Sequence, residues 1–272
     1  LITVLVVRIT DGYGVAGTLS LAMSVYNMFS ALALYRMYTY QVSDVHHENT
    51  VGEYFGFRVV TCTIALICIS GYSIITCTPD VIPSIIAYAF YKFASLLIDV
   101  LHGLDQQHHR MDYIGKSLTL QGVTSLAIFC VTQLVALSLF VTLICMTAGI
   151  IFIGIVFDLP RSSRFENLTI SISKKKTWYL LKRCFPIVVA AVACGAAPSI
   201  PRQILSGLDG TTALGIYASV AAPVTIIQMG ASYIYNPLLG YFSEAYANRN
   251  MNQLASLLLK ASTGIAALGV IA

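Results

Sequence analysis

Charge is what this chain has least of. Its 272 residues include 16 Lys and Arg, 12 Asp and Glu, and a single Trp; 10% are charged and 57% are hydrophobic. Long polar stretches are correspondingly few. A soluble domain of this composition would need a separate buried shell for every apolar segment, so a soluble enzyme is excluded as the default. No G-x-x-x-x-G-K-[ST] phosphate loop and no G-x-S-x-G elbow occurs. Direct ATP use is therefore not expected, and no cofactor is called for. The seven cysteines and five histidines have no metal-ligand spacing; the cysteines read as small apolar packing residues. The net charge of +4 comes without a basic–aromatic pattern, so nucleic acid is not an expected partner.

Apolar runs are abundant. Residues 17–38, 56–77, 82–103, 117–136, 140–157, 184–201 and 213–239 are each close to the roughly 20 residues a helix needs to cross a bilayer core. The mean hydropathy of +0.78 agrees. The expected fold class is all-α, a polytopic membrane protein. The chain opens inside a short apolar run and closes inside another, at residues 1–7 and 256–272. These read as the end of one span and the start of the next, so the chain is expected to be a fragment of a longer protein.

The few charges are sorted by side. Connections around 36–58, 104–116, 158–183 and 240–260 carry thirteen of the sixteen cations: Arg36, Arg58, Arg110, Lys116, Arg161, Arg164, Lys174, Lys175, Lys176, Lys182, Arg183, Arg249 and Lys260. The alternate connections, around 8–16, 78–81, 137–139 and 202–212, carry only Arg8 and Arg202, and Lys92 lies within a span. The positive-inside rule assigns the rich side to the cytoplasm. The outward loops are short, which leaves no room for an extracytoplasmic catalytic domain. The long inward stretch 158–183, with its Lys174–Lys176 run, reads as a linker between two groups of spans. That run serves as a topology anchor or binds anionic headgroups.

The two groups resemble each other. Arg8, Asp11, Gly12 and Gly14 precede one span; Arg202, Asp209, Gly210 and Gly215 precede another. The spans close on Ser43-Asp44 and Ser243-Glu244. The even number of spans between them predicts parallel repeats, with substrate handled between the halves.

The segments R-I-T-D-G-Y-G, S-D-V-H-H-E-N-T-V-G-E-Y-F-G-F-R, H-G-L-D-Q-Q-H-H-R-M-D-Y-I-G-K-S, L-D-G-T-T-A-L-G-I-Y-A-S-V-A-A-P and F-S-E-A-Y resemble the polysaccharide-biosynthesis membrane proteins. These are lipid-linked oligosaccharide flippases of the multidrug/oligosaccharidyl-lipid/polysaccharide exporter superfamily. The resemblance implies 12–14 helices in two parallel six-helix lobes around a central cavity, in the bacterial cytoplasmic membrane. It implies transport of a sugar chain on undecaprenyl pyrophosphate, alongside a polymerase and glycosyltransferases. Here residues 1–157 would form the N-terminal lobe with its first helix incomplete, 158–183 the cytoplasmic linker, and 184–272 the start of the C-terminal lobe.

Such a cargo calls for cations along a polar path. Lys92 sits mid-span, where an ammonium costs about 2.5–3.5 kcal/mol unless a cavity or partner compensates. Asp99 lies seven residues on, roughly 10 Å along a helix, too far for direct pairing. Lys92 is thus a candidate phosphate ligand, or else it pairs with a neighbouring helix or snorkels. Arg8 and Arg202, at the outer ends, are further substrate-binding candidates through their guanidinium forks; the alternative is an ion pair with Asp11 or Asp209. Asp99 is a candidate for ion coupling, or a partner of His102. Pro186, Gly195, Pro198 and Pro201 predict a bent helix over 184–201. The chain is read as a transporter and not as an enzyme. Two other readings stay open: a cation-coupled multidrug or metabolite antiporter on the same architecture, and a membrane-embedded polymerase or glycosyltransferase.

Overall fold

The computed structural model describes residues 13–43, 49–108, 110–135, 138–166, 174–247 and 251–271. It is 91% helical, with no strand among the described residues. The helices are α1 (Gly14–Leu34), α2 (Met37–Ser43), α3 (Val51–Thr76), α4 (Ile82–Gln107), α5 (Met111–Leu134), α6 (Leu139–Ile153), a π-helical segment (Gly154–Asp158), α7 (Leu159–Ser162), α8 (Lys174–Ala247) and α9 (Met251–Ile271). Six stretches among the described residues are long and apolar enough to cross a membrane: α1, α3, α4, α5, Leu139–Ser162 and Val188–Ala221. The protein is thus an all-α, multi-pass membrane protein. Large apolar side chains such as Ile67, Ile75, Val123 and Phe152 are more exposed than buried. A lipid environment takes these surfaces without cost, whereas water would not.

The chain forms two compact units, divided between Ile216 and Tyr217. The second contains the remainder of α8 together with α9. The first is organised around α4, which packs on α1, α3 and α6. Its buried face is rich in aromatics. Tyr26 of α1 meets Tyr88 edge-on at 5.7 Å between ring centroids and Phe93 at 6.1 Å. Helix α3 begins on a capping box: Glu53 N donates to Thr50 Oγ1 at 3.3 Å, and Thr50 N donates to Glu53 Oε2 at 3.2 Å. Buried Gln133 on α5 donates to Thr142 Oγ1 on α6 at 2.8 Å, pinning the pair where hydrocarbon offers no other partner.

Two expectations are corrected in extent. The span expected at 17–38 breaks at Tyr35 and Arg36, which hold φ of 44° and 55°. The break persists because Arg58 and Thr61 of α3 hydrogen-bond the carbonyls it frees. The connection expected at 202–212 narrows to Gly210 (φ 80°, ψ 175°), where two helices meet at a kink in a conformation glycine alone adopts without strain. The backbone leaves helical geometry there and not at Pro186, Pro198 or Pro201. A close backbone approach involves Gly17 and Gly215, and nothing lies within 4 Å of a β-carbon at Gly14. A β-carbon at Gly17 would overlap the Thr211 carbonyl oxygen, and one at Gly215 would overlap the Tyr13 carbonyl oxygen. One offset of 198 residues carries Tyr13 onto Thr211, Gly17 onto Gly215, and Asp11-Gly12 onto Asp209-Gly210. The two contacts therefore exchange with each other, the relation a local two-fold produces. Small residues allow this close backbone approach, as at other membrane helix crossings.

Candidate functional site

Arg8 and Asp11 lie outside the described residues. Lys92 stands on α4 with its Nζ 5.3 Å from the Tyr91 ring centroid and 5.7 Å from that of Tyr88. It is partly buried. Two aromatic faces thus offset part of the ammonium's desolvation and leave its donors open to an anion. The ion pairs among the described residues are His102–Asp99, His102–Asp158 and Arg110–Asp112. Neither Lys92 nor Arg202 belongs to one, so the pairings of Lys92 with Asp99 and of Arg202 with Asp209 are not formed.

Arg202, partly buried on α8, adjoins in sequence a polar cleft of about 440 Å³. This cleft lies between the end of α3, α1 and α8 at its Gly210 break. Its polar lining residues are Tyr72, Thr76, Thr78, Gln203, Ser206 and Thr211, beside Leu21, Cys77 and Ile204. The Tyr72 hydroxyl donates to Gln203 Oε1. Hydroxyls, one carboxamide and a phenol with no formal charge can form many hydrogen bonds to a neutral polyhydroxylated molecule. The residues at 78–81 and 202–212 are those the cation pattern assigns to the outer side. A second cleft of about 390 Å³, between α3, α4 and α6, is lined by Phe55, Cys62, Phe93, Ile151 and similar side chains. It offers almost nothing to a sugar or a phosphate.

Asp99 is one-third exposed, and its Oδ1 lies 3.7 Å from His102 Nδ1. The other ring nitrogen, Nε2, lies 3.5 Å from Asp158 Oδ1, at the end of the π-helical segment. Asp158 Oδ2 accepts from Ser117 Oγ at 2.9 Å, and Ser117 in turn accepts from Gln121 Nε2 at 3.0 Å. Asp105 Oδ1 accepts from Ser162 Oγ at 3.2 Å. Apart from Asp99, these side chains are buried. Sequence reading found Asp99 and His102 but missed Asp158, which it placed in a linker. The missed partner lies 56 residues on in sequence (102 to 158), and no local spacing announces such a contact. Gln203 and Tyr72 were equally invisible, since neither is unusual within an apolar run.

The chain is 22% identical over 181 residues to a capsular polysaccharide biosynthesis protein, CapF, of Staphylococcus aureus. The match covers 65% of this chain and 45% of that relative. No protein-family model matches the chain, and no solved structure matches it.

Proposed function

We propose that the chain is part of a transporter that flips lipid-linked oligosaccharide across the bacterial cytoplasmic membrane for surface polysaccharide biosynthesis. The likeness to a capsular polysaccharide biosynthesis protein and the six membrane-length helices fit a role in polysaccharide biosynthesis. The observation that carries the finer reading is the uncharged, hydroxyl-lined cleft beside the Gly17–Gly215 crossing. Its chemistry suits a sugar chain, and it lies at the expected outer end of the path. Lys92, without a carboxylate partner, supplies the cation that a pyrophosphate needs within the membrane. Arg202 takes the phosphate nearer the outer side, and Arg8 is a second candidate there.

In this reading two parallel six-helix lobes, 1–157 and the part beginning at 184, alternate access around a central path. Residues 158–183 link them on the cytoplasmic side. The protein performs no covalent chemistry of its own and hands its cargo from glycosyltransferases to a polymerase. Cells lacking the protein test this. They are expected to accumulate lipid-linked oligosaccharide on the inner leaflet and to lose surface polysaccharide, both restored by the intact gene. Shortened surface chains without inner-leaflet accumulation would point to a polymerase. Unchanged polysaccharide with altered drug or metabolite efflux would point to an antiporter. Either result contradicts the proposal.

A further inference from the structure

The Asp99–His102–Asp158 constellation serves no part of the cargo path described above. His102 has both ring nitrogens turned toward carboxylate oxygens, at 3.7 Å and 3.5 Å. A neutral imidazole carries one N–H and one lone pair. With both carboxylates ionised, that lone pair would face an anion. The arrangement is attractive on both sides only when it holds one proton more than a neutral imidazole and two carboxylates. Flanked by a carboxylate at each nitrogen, the ring is the group that holds that proton.

Lys92 of α4 and Arg58 of α3 act on Asp99 through space, but neither forms an ion pair with any member of the constellation. On α4, Asp105 adds a third acid; its Oδ2 is buried and has no hydrogen-bond partner, and His102 Nε2 likewise makes no hydrogen bond. From α5 come only Ser117 and Gln121, both neutral. From α7 comes Ser162. The nearby cations are engaged elsewhere. Arg58 of α3 donates to the Ala33 and Leu34 carbonyls. Arg110 pairs with Asp112. Arg161 donates to the Phe157 carbonyl and lies over its ring. His108 stacks on Phe165. Tyr38 of α2 donates to Gln106.

We infer that Asp99, His102 and Asp158 form a proton-binding site that clasps α4 to the π-helical segment Gly154–Asp158. The proton comes from water and returns to it, and no other bond changes. With the proton bound, His102 bridges α4 to Asp158, while Ser117 ties the same carboxylate to α5. Without it, a lone pair and a carboxylate face each other across buried space, and the bridge opens. The acid end of the clasp, Asp158, closes the π-helical segment, and π-helical insertions are frequent at functional sites. The expected cytoplasmic side of 104–116 and 158–183 gives the site access to cytoplasmic protons.

Two measurements on the full chain in lipid nanodiscs test the site, and neither needs the cargo. Nitrogen-15 NMR of labelled histidine, with His102→Gln to assign the signal, reads the proton. Hydrogen–deuterium exchange of residues 154–162, corrected for intrinsic rates, reads the clasp. As pH rises, the His102 signal should convert to the neutral form, and exchange at 154–162 should increase several-fold over the same interval. In Asp158→Asn, which keeps the Ser117 hydrogen bond, exchange should become independent of pH while His102 still titrates against Asp99. A His102 signal that never changes, exchange at 154–162 that ignores pH in the unmodified protein, or an unaltered pH response in Asp158→Asn would each overturn the inference.

Discussion

Arg58 Nη1 lies 2.8 Å from the Leu34 carbonyl oxygen. The same nitrogen donates to Ala33 O at 3.0 Å, so a fully buried guanidinium on α3 closes the C-terminal end of α1. Helix ends leave carbonyls unpartnered and carry partial negative charge. A fixed cation there answers both at once. It also lets the chain turn through Tyr35 and Arg36 with positive φ. The charge pattern had counted Arg58 among the loop cations; its work is inside.

Arg58→Met should therefore lower stability more than any change at exposed Arg110 or Arg164. Charge-assisted hydrogen bonds contribute roughly 1.5–3 kcal/mol each, and two are lost. Arg58→Lys should recover only part, because an ammonium is a point charge without the planar fork. Thermal unfolding in detergent reads the difference. Equal melting temperatures for Arg58→Met and the unmodified protein would remove the capping role.

The close approach at Gly17 and Gly215 makes a second prediction. Gly17→Ala and Gly215→Ala should each reduce stability by about 1–3 kcal/mol, the usual cost of overpacking, because backbone atoms occupy the space a methyl group needs. Gly14→Ala and Gly71→Ala should be tolerated, since nothing lies within 4 Å of a β-carbon at either position. Equal yields of folded protein across all four variants would mean that the close contact does not form.

Much of this fold can be read from the apolar runs, and the reason is physical. In hydrocarbon a backbone must satisfy itself, so a run of sufficient length is a helix. What ends a helix is harder to read. Tyr35 carries no glycine-like signal; its left-handed turn depends on Arg58, and the partner is known only once α1 and α3 have packed. At 202–212 the break between two spans is legible in Asp209-Gly210, but its extent is not: the residues on either side of Gly210 are helical. At the candidate site, Lys92 was conspicuous because an ammonium is rare in such a segment. The acid of Asp158 and the hydroxyls around Gln203 are commonplace residues, made significant only by tertiary contact.

The orientation inferred from thirteen inward cations can be checked in intact cells. A cysteine placed at position 80 should react with a membrane-impermeant maleimide, and one placed at 175 should not. Labelling at 175 without labelling at 80 would invert the topology and move the polar cleft to the cytoplasmic side.

Lys92→Ala should abolish surface polysaccharide while protein level stays normal, and Lys92→Arg should keep part of the activity because charge matters more than shape for a mobile phosphate. If Lys92 served only its aromatic neighbours Tyr88 and Tyr91, the alanine variant would instead lower protein abundance and leave export per molecule intact. Quantitative blotting beside polysaccharide measurement separates these outcomes.

The most direct test of the account is translocation itself. The whole transporter is reconstituted into vesicles with lipid-linked oligosaccharide confined to the inner leaflet, and an impermeant glycosidase outside reads its appearance. The account predicts that the sugar becomes susceptible to cleavage with the intact protein, and far more slowly with Lys92→Ala or with Gln203→Ala in the polar cleft. Sugar that stays protected in vesicles containing correctly folded, correctly oriented protein would contradict it.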